Sequence, residues 1–195
     1  MDADAADQVY VATDDGLQEA AVVAGPRSSV DPARRLFDVA AVRPATTDRT
    51  AARPAFDHAA LAAAAYLLGA GERVLADTVA YAGQRRQFGR EIGSYQAVKH
   101  RLADVRIALD FARPLVHGAA LDVTPRSVSA AKVLAGDAAY LAARTGLQVH
   151  GAIGYTRELD LSIWLTRIRA LVGAWGTPSF HRARVLESLL EPAEA

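Results

Sequence analysis

Residues 57–105, DHAALAAAAYLLGAGERVLADTVAYAGQRRQFGREIGSYQAVKHRLADV, decide the fold. From Asp57, apolar residues recur at helical spacing: Leu61, Ala65, Leu68, Leu75 and Val79. This predicts a helix of about eight turns with Asp57 as its N-cap. Gly69 and Gly71 weaken it locally, and in so long a run they point to close approach of a neighbour rather than to an end. A second helix, capped by Ser94, carries Val98, Leu102, Val105, Leu109 and Val116, and Pro114 is expected to kink or end it. Between the two lies a glycine-bearing corner from Phe88-Gly89 to Gly93-Ser94. Arg85, Arg86, Gln87 and Phe88 gather there, where the last carbonyls of the first helix favour positive charge.

Downstream, residues 122–129 read as a connection and residues 130–149 as an alanine-rich third helix that stops at Gly151. A fourth helix is expected over residues 159–171. A fifth spans residues 178–190, with Pro178 suited to its first turn. Antiparallel helices with joins this short form a bundle of four or five. Upstream, residues 8–13 and 17–23 read as strands joined by Asp14-Asp15-Gly16, a hairpin that Gly25-Pro26 breaks. A third strand follows at residues 36–42 and ends before Pro44. Three short strands cannot close a core alone, so the segment reads as the remnant of a larger β domain or a piece leaning on another chain. The expected organisation is a β remnant over residues 1–48, a linker over 49–56 and a mainly α bundle over 57–195.

Composition narrows the functional classes. The chain has 195 residues, 51% hydrophobic and 23% charged, enough for one main domain with a small second piece. Lys+Arg and Asp+Glu both number 22, so no global field draws in nucleic acid or an anionic membrane. With no cysteine, disulfides, thiolate catalysis and cysteine-bound metal are out. The N-terminus lacks a signal pattern, and no run approaches the roughly eighteen apolar residues of a membrane span. A cytoplasmic protein is expected. The histidines His58, His100, His117, His150 and His181 lack the spacings that build zinc or di-iron sites, and neither a P-loop nor a G-x-S-x-G elbow occurs. The basic run from Arg85 to Arg101 reads either as a ligand-holding corner or as a solvated helix end.

Several of these residues together resemble a known family. Arg85-Arg86-Gln87-Phe88-Gly89, then Gln96 and Leu102-Ala103-Asp104, then Gln148-Val149-His150-Gly151 with Gly154-Tyr155, are similar to the C-terminal half of acyl-CoA dehydrogenases. The resemblance continues in order to Gly176-Thr177, and more weakly to residues 31–36, which look like the segment closing that family's middle β domain. It covers nearly the whole chain but about half of a usual member, whose N-terminal helical domain and first β strands are missing here.

The resemblance implies FAD as cofactor and an oligomer, homomeric or heteromeric, with a dehydrogenase-like chain. Arg85 matches an arginine that reaches across the dimer interface to the FAD pyrophosphate, a fit for a guanidinium that can bond paired phosphate oxygens. Gln87 and Phe88 match its neighbours, and Gln96 matches a glutamine near the adenosine end. Gln148, Gly151 and Ala152 match the loop whose backbone meets the flavin, with Ala152 standing where glycine is usual. Thr177 matches a threonine that bonds FAD in its own subunit, where a helix N-terminus favours phosphate. Read as plain residues, Gln96 and Gln148 are surface glutamines and Thr177 an N-cap.

The departures concern catalysis. The family's reaction needs a carboxylate to remove the substrate α-proton while hydride leaves the β-carbon. The usual glutamate position is Trp175 here. The alternative position matches Ala59, and the adjoining arginine near CoA matches Ala60. Asp57 is the remaining weak candidate, and otherwise a helix cap. The Trp175 indole fills the acyl cavity or packs in the core. These matches imply a subunit that contributes to a flavin site and lacks its own base. It would act with a catalytic partner on an acyl-CoA, with bulky sterol-type thioesters suggested by paired arrangements in the family. The alternatives are a structural assembly module with vestigial flavin motifs, or a truncated copy of a homo-oligomeric dehydrogenase with a substitute base.

Overall fold

The computed structural model describes residues 3–13, 16–46 and 52–190. Contacts within the chain divide it into two units, residues 1–58 and 59–195.

In the first unit, β1 (Val9–Thr13), β2 (Gly16–Arg27) and β3 (Leu36–Thr46) form an antiparallel sheet in that order. Thr13 pairs with Gly16, as a hairpin there requires, although Asp14 and Asp15 lie outside the described residues. Two expected breaks do not occur. β2 runs through Gly25-Pro26, which sits where the β2–β3 register shifts between Ala24 and Arg27. β3 runs through Pro44, tolerated because β3 is an edge strand and a missing N–H there costs the ladder little. Arg27 and Asp38 pair across the two strands. The sheet covers little apolar surface: Val23 is 62% and Val42 65% exposed, and Ala20 is its one buried apolar side chain among the described residues.

α1 (Ala52–Gln84) starts five residues before Asp57, so Asp57 is not its N-cap and the expected linker is helical from Ala52 onward. The earlier part of that linker, residues 49–51, lies outside the described residues. α2 (Gln96–Leu121), α3 (Pro125–His150), α4 (Leu161–Val172) and α5 (Pro178–Leu190) complete the bundle, with α3 packing against α2, α4 and α5.

The buried stripe of α1 is Ala60, Ala64, Leu67, Val74, Thr78 and Ala82. Leu68 and Leu75 of the expected stripe are buried as well, whereas its Ala65 and Val79 face outward, Val79 being 51% exposed. Small residues win the core here because the helices approach closely. A Cβ on Gly71 would lie 2.8 Å from Leu109 Cδ2 and 3.1 Å from the Ala139 Cα, whereas Gly69 has open space around it. Gly146 of α3 makes a similar approach to α1, where a Cβ would lie 2.9 Å from Val74 Cγ1. An 18-residue window of α1 has mean hydropathy 1.3, long and apolar enough for a membrane crossing by composition. That corrects the expectation that no such run exists, although 44% of the window is buried inside the fold, as suits a core helix.

Three helix ends also differ from expectation. α2 opens at Gln96 with Tyr95 as N-cap, while Ser94 closes a 3-10 turn, Ile92–Ser94, its hydroxyl donating to the Glu91 carbonyl at 2.7 Å. Pro114 neither ends α2 nor shortens it; the proline sits on the exposed face and the helix continues to Leu121. α3 starts at Pro125, not Ala130, because Thr124 and Ser127 form a capping box and Pro125 takes the first helical position.

Candidate functional site

The end of α1 runs directly into a two-residue hairpin. The Arg85 amide donates to the Tyr81 carbonyl at 2.9 Å, extending the helical pattern, and the Arg85 carbonyl accepts from the Ile92 amide at 2.8 Å. Between them β4 (Arg86–Gln87) pairs with β5 (Arg90–Glu91). The connecting residues Phe88 and Gly89 have φ of 52° and 81°, the double positive φ of a type I′ turn. Glycine suits that geometry; phenylalanine does not, yet Phe88 occupies it and stands 91% exposed at the tip.

The hairpin is braced by its own side chains. Arg86 lies 3.5 Å from the Glu91 carboxylate and donates to the Gly89 carbonyl at 3.3 Å. The Arg90 guanidinium sits 3.9 Å over the Tyr95 ring, and the Tyr95 hydroxyl donates to the Gln87 carbonyl at 3.2 Å. The Arg85 guanidinium is exposed and has no hydrogen bond or ion pair among the described residues.

A second corner forms at the end of α3. Gly151 takes φ 64°, and a Cβ there would meet nothing within 4 Å, so its backbone is open to a close approach. Ala152 beside it is exposed. Gln148 is exposed one turn earlier, lining a groove of about 430 Å³ with Arg101, Asp104, Arg144 and Tyr155. Gln96 is exposed at the first position of α2. The buried His150 ring stacks on Tyr81 at 4.2 Å and donates from Nδ1 to the Gly146 carbonyl at 2.8 Å. This stack joins the two corners, and the sequence reading missed it. Tyr81 and His150 each stand just ahead of a corner, the one signal that could have paired them.

Thr177 sits on a separate turn, between α4 and α5. Its Oγ1 accepts from the Phe180 amide at 3.2 Å and its carbonyl from the His181 amide at 3.1 Å, so N-capping is one of its roles. Immediately before it, Trp175 and Gly176 have φ of 56° and 99°. Trp175 is 47% exposed, which overturns packing in the core as its fate. Neither Trp175 nor Ala59 carries an acid, and Asp57 is 4% exposed. Among the described residues, no group of three or more His, Asp or Glu side chains could hold a metal.

Residues 49–190 match the family model for the acyl-CoA dehydrogenase C-terminal domain. The chain belongs to the acyl-CoA dehydrogenase family. It is 39% identical over 169 residues to the acyl-CoA dehydrogenase IpdE2 of Mycobacterium tuberculosis, covering 86% of this chain and 52% of that protein. The IpdE2 of Mycolicibacterium smegmatis is 37% identical, over 80% of this chain and 49% of that protein. The chain thus spans about half the length of these curated relatives. In fold it is similar to butyryl-CoA dehydrogenase of Megasphaera elsdenii, with a TM-score of 0.80 at 23% identity over 94% of this chain and 55% of that one.

The residues present fit part of an FAD site. An unpaired guanidinium suits a pyrophosphate, and a positive-φ glycine without obstruction suits backbone contact with a bound group. The fit covers the grip on the dinucleotide; the side chains at Trp175 and Ala59 carry no acid.

Proposed function

We propose that this chain is a base-deficient subunit of a heteromeric, FAD-dependent acyl-CoA dehydrogenase. It lends Arg85, Gln87, Phe88, Gln96, Gln148, Gly151 and Ala152 to a flavin shared with a longer catalytic partner, and Thr177 to the flavin of its own side. The observation that carries this reading is the uncommitted Arg85 guanidinium on a hairpin whose other arginines are internally paired. When bound, the flavin supplies the hydride acceptor. This chain's residues hold the phosphates and close one wall of the cofactor cleft, while the partner's carboxylate removes the α-proton. Trp175, half exposed and fixed in a left-handed turn, closes the position from which a carboxylate would reach the substrate. A bulky, sterol-type acyl-CoA is the substrate class we favour, by analogy with the paired arrangements this family uses for such thioesters.

The test is purification of the tagged chain from its native cells. A longer dehydrogenase-like chain in equal amount, visible flavin absorbance and acyl-CoA oxidation abolished by removing the partner's glutamate support the reading. A colourless complex, or oxidation that survives that removal, overturns it in favour of an assembly module or a substitute base.

A further inference from the structure

We infer that His181 is the positioning residue of the turn at residues 175–177, holding it from beneath by its backbone. His181 lies on the first turn of α5 and is fully buried. Its Nε2 donates to the Trp175 carbonyl at 2.8 Å, and because a carbonyl only accepts, Nε2 must carry a proton. Its Nδ1 lies 3.0 Å from the Ser129 hydroxyl of α3, which is also buried and accepts from Arg184 Nη1 at 3.3 Å. The chain of contacts therefore runs from α5 through α3 to one carbonyl of the turn. Two consecutive residues there, Trp175 and Gly176, hold positive φ, a conformation that costs free energy for the tryptophan and persists only where surroundings impose it. The imidazole imposes it by contact as well: a Cβ on Gly176 would lie 2.6 Å from His181 Nε2. Position 176 is thus closed to every side chain, and the positive φ at 175 fixes the direction in which that residue's side chain leaves the turn.

The consequence for function rests on the flavin-sharing reading: His181 sets both the Thr177 contact and the direction of the side chain at 175. The experiment uses the full chain separated from its partner and compares His181→Gln, His181→Leu and Ser129→Ala in a Trp164→Phe background, so that emission reports Trp175 alone. Glutamine can still donate to the Trp175 carbonyl and is expected to keep the wild-type emission maximum and iodide quenching. Leucine removes the imidazole donor from the part-buried Trp175 carbonyl. It is expected to shift the emission and to speed amide exchange over residues 176–181 roughly tenfold, with Ser129→Ala intermediate. Wild-type emission and exchange in a folded His181→Leu chain overturn the inference. If that variant does not fold, Ser129→Ala decides, and unchanged emission and exchange there overturn it equally. The Trp175 readout needs no bound flavin, so a colourless wild-type complex would sink the functional reading and leave this one decided on its own evidence.

Discussion

The Tyr81 ring stacks on the His150 imidazole with centroids 4.2 Å apart and planes inclined by 23°. Tyr81 precedes Arg85 by one helical turn and His150 precedes Gly151 by one residue, so a single ring pair couples two corners that are 66 residues apart in sequence (151 − 85). A double-mutant cycle with Tyr81→Leu and His150→Leu should give a coupling of about 1 kcal/mol in urea unfolding. Additive effects would show that the corners are held independently.

Lys132 is 3% exposed, and burial pushes its ammonium down to about 8, although Nζ donates to the Leu171 and Val172 carbonyls at 3.3 and 3.0 Å. A lysine held below its ordinary 10.5 keeps its proton longer in the unfolded chain than in the folded one. Between pH 8 and 10.5 the unfolded state therefore binds more protons, and stability rises with pH. The rise should be on the order of 1–3 kcal/mol relative to Lys132→Met, moderated by the carbonyl bonds that favour the charged form. Parallel pH profiles of the two proteins would refute it.

Gly71 and Gly69 lie on one helix with opposite surroundings. Gly71→Ala should destabilise by about 1–3 kcal/mol through overpacking against Leu109 and Ala139. Gly69→Ala, in open space, should stabilise by about 0.5–1 kcal/mol. Denaturant midpoints of the two variants should move in opposite directions; a common direction would mean that helix spacing is not set at Gly71.

Phe88 combines a left-handed backbone with 91% exposure, so it gives little to the fold of this chain. Phe88→Asn should leave the isolated chain as stable or slightly more so, since asparagine tolerates that conformation. In the complex the same change should cost about 1–2 kcal/mol of partner affinity, as loss of an aromatic anchor does. Unchanged partner affinity in calorimetry would place Phe88 outside any interface.

Restoring the acid at the usual position should not restore the enzyme. Trp175→Glu is expected to give at most trace acyl-CoA oxidation by this chain alone, because the matched relatives extend well beyond the half it spans. Turnover comparable to a complete dehydrogenase would show that the chain holds a whole substrate pocket.

The helix-forming pattern was legible because long apolar periodicity survives any tertiary context, and α5 begins and ends where residues 178–190 place it. The buried face of α1 was legible in part: Leu68 and Leu75 are buried as read, but Ala65 and Val79 face outward, and the core adds alanines and Gly71 at close helix contacts. Prolines misled in both directions. Pro44 read as a stop and Pro114 as a kink or a stop, and they are accommodated at an edge strand and an exposed helix face, while Pro125 marks a helix start that the connection over residues 122–129 concealed. At the site, Arg85 to Phe88 and Gln148 to Ala152 were found as motifs. The ring stack, the His181 contacts and the internal pairing of Arg86 and Arg90 join residues distant in sequence or depend on turn geometry, and no local spacing announces them.

Flavin content of the purified complex, compared between wild type, Arg85→Ala and Arg86→Ala, tests most directly whether this chain grips a shared cofactor. Loss of the uncommitted guanidinium should weaken flavin retention by roughly tenfold to a hundredfold, the worth of charge-assisted bonds to phosphate, whereas Arg86→Ala, which removes only an internal brace, should cost far less. An Arg85→Ala complex that stays as yellow as wild type and releases its flavin no faster would contradict the proposal.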